Sequence, residues 1–324
     1  VTINAAQIKA LAAQIKKGSR LALSRAITLI ESTTAADRTA AGQLLQSLLP
    51  HTGGSIRLGL TGAPGCGKST LIDQLGLNLI TLGKRVAVLA IDPSSTKSGG
   101  SILADKTRMG RLSALESAFI RPSPSSGKLG GDARNTHETL LLCEAAGFDV
   151  VIVETVGIGQ SEAVIADIVD FVAILIQPGT GDELQGLKRG VLEVANMIVV
   201  TKSDGEGLIA AARTAGDYAG TLHIMTAPGS PWDPPVQQVS AIENQGLDEM
   251  WVQIERHQNL LNEKGILEEI RRDQAARRLR VLVEEEVLAR FHRDEKNSAK
   301  LQKLERMVRS GELTPGVAAD DALK

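Results

Sequence analysis

The stretch LTGAPGCGKST, residues 60–70, places three glycines, a proline and a lysine within eleven positions. Gly62, Ala63, Pro64, Gly65, Cys66, Gly67, Lys68 and Ser69 fit the spacing G-x-x-x-x-G-K-[ST], and Thr70 follows. Glycines at these positions let successive backbone N–H groups converge on phosphate oxygens, and the amino end of a following helix adds its dipole. In such a loop the Lys68 ammonium reaches the β- and γ-phosphates and the Ser69 hydroxyl ligates Mg²⁺. The context agrees: an apolar run precedes the loop and the helical pattern TLIDQLGLNLI follows it. The expected ligand is a nucleoside triphosphate.

Two further stretches bear on the same ligand. VIVETVG, residues 151–157, is a strand pattern ending in an acid, then two residues, then Gly. There Glu154 would hold Mg²⁺ through water and Gly157 would offer its N–H to the γ-phosphate, the layout of a triphosphate-sensing switch. VVTKSD, residues 199–204, ends another apolar run with Lys-x-Asp. Asp204 can accept both N1–H and the exocyclic amine of guanine while the stem of Lys202 covers the ring. Adenine presents no such donor pair. The guanine signature ordinarily reads Asn-Lys-x-Asp; here Thr201 replaces Asn, and its hydroxyl can still tie neighbouring loops. Ser240 and Ala241 follow a further strand pattern, where a base-contacting backbone loop is expected.

These groups need elements to hold them. Short Val/Ile/Leu-rich runs occur at 55–60, 85–91, 148–154, 170–176, 196–201 and 234–240, separated by helical patterns. Most lack clean alternation, which points to strands buried on both faces of a parallel sheet. Residues 2–49 show apolar spacings of three and four, with Gly18 and Ser19 as a stop and a cap. After about residue 262 the strand patterns end, and Leu279, Leu282, Val283, Val287 and Phe291 mark amphipathic helices rich in Arg and Glu. The stretch 121–131 reads as a loop and 227–235 as a rigid connector. The expected organisation is an N-terminal helical region over 1–52, a nucleotide-binding domain over 53–262 and a C-terminal helical arm over 263–324.

Composition narrows the partners. The chain has 324 residues, 43% hydrophobic and 23% charged, with net charge −2, which argues against a nucleic-acid groove or a membrane-surface patch. Aromatic residues are 2%, too few for base-stacking platforms. The two cysteines, Cys66 and Cys143, form no C-x-x-C pair and suggest a reducing compartment. No run reaches the roughly 18 apolar residues of a membrane span and the start lacks a signal-peptide core, so the expected location is the cytoplasm.

Taken together, TGAPGCGKST, AIDPSSTKSGGSILADKTRM (90–109), VIVETVGIGQSE (151–162) and PGTGDELQGLKRG (178–190) resemble the P-loop GTPases of the MeaB family. These are metallochaperones of adenosylcobalamin-dependent methylmalonyl-CoA mutase, also known as ArgK transport kinases. The resemblance implies a SIMIBI-like α/β GTPase fold with a mostly parallel sheet, an N-terminal helical extension and a C-terminal arm used for homodimerisation. It places phosphates on residues 62–70, Mg²⁺ with Ser69 and acids drawn from Asp92, Asp105 and Glu154, and guanine with Lys202, Asp204 and the loop Ser240–Ala241–Ile242. It also matches Gln177 to Lys188 with a third switch, three glycines, two acids and a lysine in a hinge-like stretch. The alternative for Asp92 and Asp105 is a capping role, and for Lys188 a solvated helix lysine. The implied cofactors are GTP or GDP and Mg²⁺, and the implied partners an acyl-CoA mutase, a second copy of the chain and, as a further candidate, an adenosyltransferase. Methylmalonyl-CoA mutase ranks first as client; mutases of isobutyryl-, 2-hydroxyisobutyryl- and ethylmalonyl-CoA share its cobalamin architecture.

Three rival readings remain at this stage. A nickel-insertion GTPase needs a Cys/His cluster, whereas the five histidines are scattered. A small-molecule kinase needs an anion clamp, for which Arg108, Arg111 and Arg121 are available. A scaffold with an inert site is disfavoured by the presence of Lys68, Ser69 and Glu154. Hydrolysis itself is expected to be slow in isolation: Ras-type GTPases place a water-orienting Gln directly after the switch glycine, but here Ile158 follows Gly157 and Gln160 comes two residues later.

Overall fold

The computed structural model describes residues 3–32, 34–92, 109–124, 129–155, 165–179, 189–227 and 229–324. They divide into two compact units, Val1–Arg272 and Asp273–Lys324.

The first unit is built on a seven-stranded sheet in the order β3-β2-β4-β1-β5-β6-β7. Its strands are β1 (Ile56–Gly62), β2 (Val86–Asp92), β3 (Ala118–Pro124), β4 (Val150–Thr155), β5 (Phe171–Ile176), β6 (Met197–Val200) and β7 (Val236–Gln238). Every pairing is parallel. The runs without alternation are explained by burial on both faces: Val150 and Ile152 enter one apolar core while Val151 and Val153 enter the other.

Helices α1 (Ala5–Lys16), α2 (Arg20–Glu31) and α3 (Ala35–Leu48) pack with α6 (Leu129–Ala145) on one face. The break between α1 and α2 is as expected, with Gly18 at φ 77° and the Ser19 side chain accepting from Ala22 N–H. The other face is covered by α4 (Lys68–Thr81), the short α5 (Gly110–Ser113) and α9 (Leu247–Glu263). Between these come α7 (Arg189–Glu193) and α8 (Leu208–Met225).

One expectation needs correction. Residues 121–124 do not belong to a loop but complete β3, and α6 begins at Leu129. Pro122 and Pro124 hid the strand; they are tolerated because β3 is the sheet's edge and pairs on one side only, with β2.

At the amino edge of the sheet, two buried ion pairs hold the starts of β1 and β5. Arg57 is bidentate to Glu144, through Nε and Nη2 at 2.9 Å each. Burial pushes the Glu144 carboxyl up, but Arg57, Gly53 N–H and the Ser55 hydroxyl outweigh it and hold it below the ordinary range. Asp170 accepts from Arg57 N–H at 3.1 Å and from Arg271 Nε and Nη2 at 2.9 and 2.6 Å. Arg271 stands in the first turns of α10 (Leu267–Arg293).

The second unit has its own small core of Leu304, Ala318 and Ala322, formed between α11 (Glu295–Arg309) and α12 (Pro315–Ala322), with Phe291 packed against it. The stripe on α10 stays open to solvent: Leu279 is 62% exposed and Val287 59%.

The 227–235 connector is pinned by Trp232, whose Nε1 donates to Asn196 O at 2.8 Å. Its ring meets His257 edge-on at 4.8 Å, and His257 meets Phe171 at 5.1 Å. Burial among these rings lowers the His257 pKa from the ordinary 6.5 to about 4, partly opposed by the charge of Asp170. Between those two values the unfolded chain binds more protons than the folded one, so stability falls as pH drops from 6.5 toward 4. Relative to His257→Phe, the native protein should lose about 2 kcal/mol more of unfolding free energy between pH 7 and pH 5. Denaturant unfolding of both proteins at the two pH values measures this; equal losses would mean His257 is not held neutral.

Candidate functional site

The loop expected to cradle phosphates leaves β1 at the centre of the sheet. Gly62 lies opposite Leu175 of β5, and a Cβ on it would sit 2.4 Å from the Leu175 carbonyl oxygen, so no other residue fits. Gly67 caps α4 at φ 96°, a left-handed value that glycine adopts without strain. The loop thus turns back on itself and presents the amino end of α4. Lys68 is buried, and its ammonium donates to Gly62 O at 2.6 Å and Ala63 O at 3.0 Å. Cys66 is buried as well. Burial raises its thiol pKa despite the nearby Lys68, which makes it a packing residue and not a nucleophile. Pro64, Gly65 and Thr70 are exposed on the rim.

Glu154 is brought to the same place by the sheet. It stands one residue before the end of β4, between Leu60 of β1 and Ala90 of β2, and accepts from the Ser69 hydroxyl at 3.4 Å. A hydroxyl and a carboxylate in this position are hard oxygen donors suited to Mg²⁺. Asp92 ends β2 next to β4, so its backbone reaches the same edge. The Asp92 side chain, together with Asp105, Gly157, Ile158, Gln160 and Lys188, lies outside the described residues. Among the described residues, no group of three or more His, Cys, Asp and Glu side chains converges as a metal cluster.

The elements expected to meet the base follow β6 and β7. Thr201 is buried, and its hydroxyl lies 2.6 Å from Cys66 O and 3.1 Å from Ile176 O. It therefore ties the loop after β1 to the loop after β6, the tie expected of its hydroxyl. Lys202 adopts φ 54° and its ammonium donates to the Gln177 side-chain carbonyl at 2.7 Å. Gln177 as a partner of Lys202 was not read from the sequence; only its position right after an apolar strand could have suggested it. The Ser240 hydroxyl donates to Asp204 Oδ2 at 2.5 Å and accepts from Glu243 N–H at 3.1 Å. Ser240 and Gln245 pair through their backbones, closing a small loop in which Ala241 is half-buried and Ile242 is 82% exposed.

Two of the arginines available for an anion clamp form ion pairs within the protein. Arg111 pairs with Asp73 at 2.7 Å, and Arg121 pairs with Glu31 at 2.5 Å. Arg108 lies outside the described residues.

Comparison with known proteins fits this geometry. The family model of the methylmalonyl Co-A mutase-associated GTPase MeaB matches residues 23–296. The chain is 46% identical to the GTPase ArgK of Escherichia coli, over 88% of this chain and 86% of that one. It is 43% identical to the mouse mitochondrial methylmalonic aciduria type A homolog, over 95% of this chain and 77% of the other. A solved structure described as an LAO/AO transport system kinase superposes with TM-score 0.79 at 36% identity, covering 99% of this chain and 98% of its own.

In Asp204→Asn, the new amide can keep its oxygen toward the Ser240 hydroxyl and turn its N–H₂ to the base. Xanthine, with a carbonyl at C2, accepts from that amide where guanine cannot. Titration should show GDP binding weakened by about 10²-fold or more, since two charge-assisted hydrogen bonds are lost, and xanthosine diphosphate binding strengthened. Unchanged GDP affinity would remove Asp204 from base recognition.

Proposed function

The chain belongs to the MeaB family of methylmalonyl-CoA mutase-associated GTPases, and we propose that it is a chaperone whose GTP hydrolysis gates the cofactor of an adenosylcobalamin-dependent acyl-CoA mutase. The family match over residues 23–296 carries this reading. Methylmalonyl-CoA mutase is the first-ranked client, and the mutase named in the family description supports that rank. Isobutyryl-, 2-hydroxyisobutyryl- and ethylmalonyl-CoA mutases are the alternatives.

In this reading residues 62–70 cradle the triphosphate and Lys68 exchanges its carbonyl partners Gly62 and Ala63 for the β- and γ-phosphates. Ser69, Glu154, Asp92 and Asp105 would hold Mg²⁺, which neutralises charge developing on the phosphates. Asp204, Lys202 and the loop Ser240–Ile242 select guanine, and Gly157 senses the γ-phosphate. Water is the acceptor; the commitment of Arg111 and Arg121 to ion pairs supports this over phosphoryl transfer to a small molecule.

The site is incomplete for fast hydrolysis, because Ile158 follows Gly157 and cannot orient water. The mutase completes it by moving Lys188 or its loop onto the phosphates. Hydrolysis then gates the entry of adenosylcobalamin into the mutase, or the exit of damaged cofactor. The location is the cytoplasm, with an adenosyltransferase as a further partner.

GTP turnover measured with and without methylmalonyl-CoA mutase, for the native protein and Lys188→Ala, tests the gating. Activation in trans is worth ~10³–10⁵ in rate for GTPases, so a rise of at least about tenfold with mutase is expected. Inorganic phosphate should account for all of the phosphate released. A free protein that already turns over as fast as its mutase complex would refute gating, while equal stimulation of both proteins would remove Lys188 alone.

The second element of the proposal is a homodimer through the arm over 263–324. The exposure of Leu279, Val283, Val287 and Leu288 supports it, since a row of this kind is stabilised by burial against another chain. Sedimentation equilibrium at micromolar concentration should give twice 34.3 kDa, and a mass of 34.3 kDa would rule the dimer out.

A further inference from the structure

The loop Ser240–Gln245 is fastened not only to Asp204 but also to the helix that carries the phosphate site. Asn78 stands ten residues beyond Lys68 on α4, roughly 15 Å along the helix axis. Its Nδ2 donates to Asn244 Oδ1 at 2.8 Å and to Asp248 Oδ1 at 3.2 Å. Its Oδ1 accepts from Gln74 Nε2 at 2.9 Å. Both amide hydrogens and the carbonyl oxygen are therefore engaged, and the Asp248 carboxylate, which only accepts, fixes which way the amide points.

The residue it grips is held in an unusual conformation. Asn244 lies at φ 54°, the left-handed region, and Gly246 follows at φ 76°, where a Cβ would meet Gln238 O at 2.2 Å. The loop therefore closes in one shape, with Ser240 and Gln245 paired across its neck. Asp248 is in the first turn of α9, so Asn78 holds both the tip of the loop and the helix that leaves it.

From this arrangement we infer that Asn78 is a positioning residue for guanine recognition, setting the Ser240–Gln245 loop at the correct height over the base from the far end of the phosphate-binding helix. The inference rests on the guanine reading of Asp204 and its loop. It makes base selectivity depend on a side chain that touches neither base nor phosphate.

The test is titration of the full-length protein with GDP and with ADP, for the native chain, Asn78→Ala, Asn244→Gly and the double variant. Asn244→Gly keeps the left-handed backbone accessible and deletes only the amide. Each single variant should weaken GDP about five- to tenfold and leave the weak binding of ADP, which relies on the phosphate loop, unchanged. The double variant should be no worse than Asn78→Ala, because Asn78→Ala already removes the Asn78–Asn244 hydrogen bond that Asn244→Gly deletes. Equal losses for GDP and ADP would show that α4 has merely been loosened and would overturn the proposal. So would unchanged GDP affinity, or additive losses in the double variant. A native protein that does not prefer GDP to ADP would instead overturn the guanine reading itself.

Discussion

All strands of the sheet run in one direction, and the placement of every group in the site follows from that constraint. Parallel strands must be joined by crossovers, so their carboxyl ends collect along one edge, and helices cover both faces. β1 lies in the middle, with β4 on one side and β5 on the other. The chain turns toward opposite sides of β1 at this point, which is where open α/β sheets form their ligand crevice. The register then determines contacts that no local signal specifies. Glu154 falls opposite Leu60 and so comes within reach of Ser69, while Leu175 falls opposite Gly62 and forbids it a side chain.

The opposite edge shows how the register is kept. Arg57 and Glu144, with Asp170 and Arg271, are charged pairs withdrawn from water. Desolvation makes such pairs a weak source of net stability, but breaking one partner out of a pair is costly. Their value here is geometric. Asp170 accepts from the backbone N–H of Arg57, and its own N–H donates to Arg57 O at 2.9 Å, so the start of β5 is locked to the start of β1. A slip by one residue would separate those groups and would also place a side chain against the Leu175 carbonyl. The ion pairs at one edge and the bare glycine at the other enforce the same alignment.

Most of this could be read from the sequence where a residue's type is dictated by local chemistry. The phosphate loop, the Lys-x-Asp pair and the buried strands each carry their own pattern, and Thr201 was legible as a tie because a hydroxyl can replace an amide that only bridges loops. What stayed hidden depends on long-range register. β3 was obscured by Pro122 and Pro124, which look like loop residues until the strand is known to be an edge. The grip of Lys202 on Gln177 joins the ends of β5 and β6, which touch only because those strands pair. Asn78 reads as an ordinary polar residue on an amphipathic helix, and the 166 positions separating it from Asn244 give no hint of contact.

The polar groups that would meet a nucleotide are already held by the protein itself. Lys68 is seated on two carbonyls, Asp204 on the Ser240 hydroxyl, and Lys202 on Gln177. Binding therefore exchanges one set of hydrogen bonds for another, and the net gain per bond is modest when both sides are satisfied. Affinity must come from two other sources: the charge of the phosphates meeting the helix dipole and Lys68, and the small cost of ordering groups that are already fixed. The second source explains the Thr201 hydroxyl. By bonding both Cys66 O and Ile176 O, it ties the loop after β1 to the end of β5 and to the segment that leads into Lys202 and Asp204. In the guanine reading, a purine without guanine's donor edge would leave Asp204 with the Ser240 hydroxyl as its partner and no donor from the base. In that reading discrimination would rest on a carboxylate oxygen deprived of its donor, which costs more than a missing apolar contact.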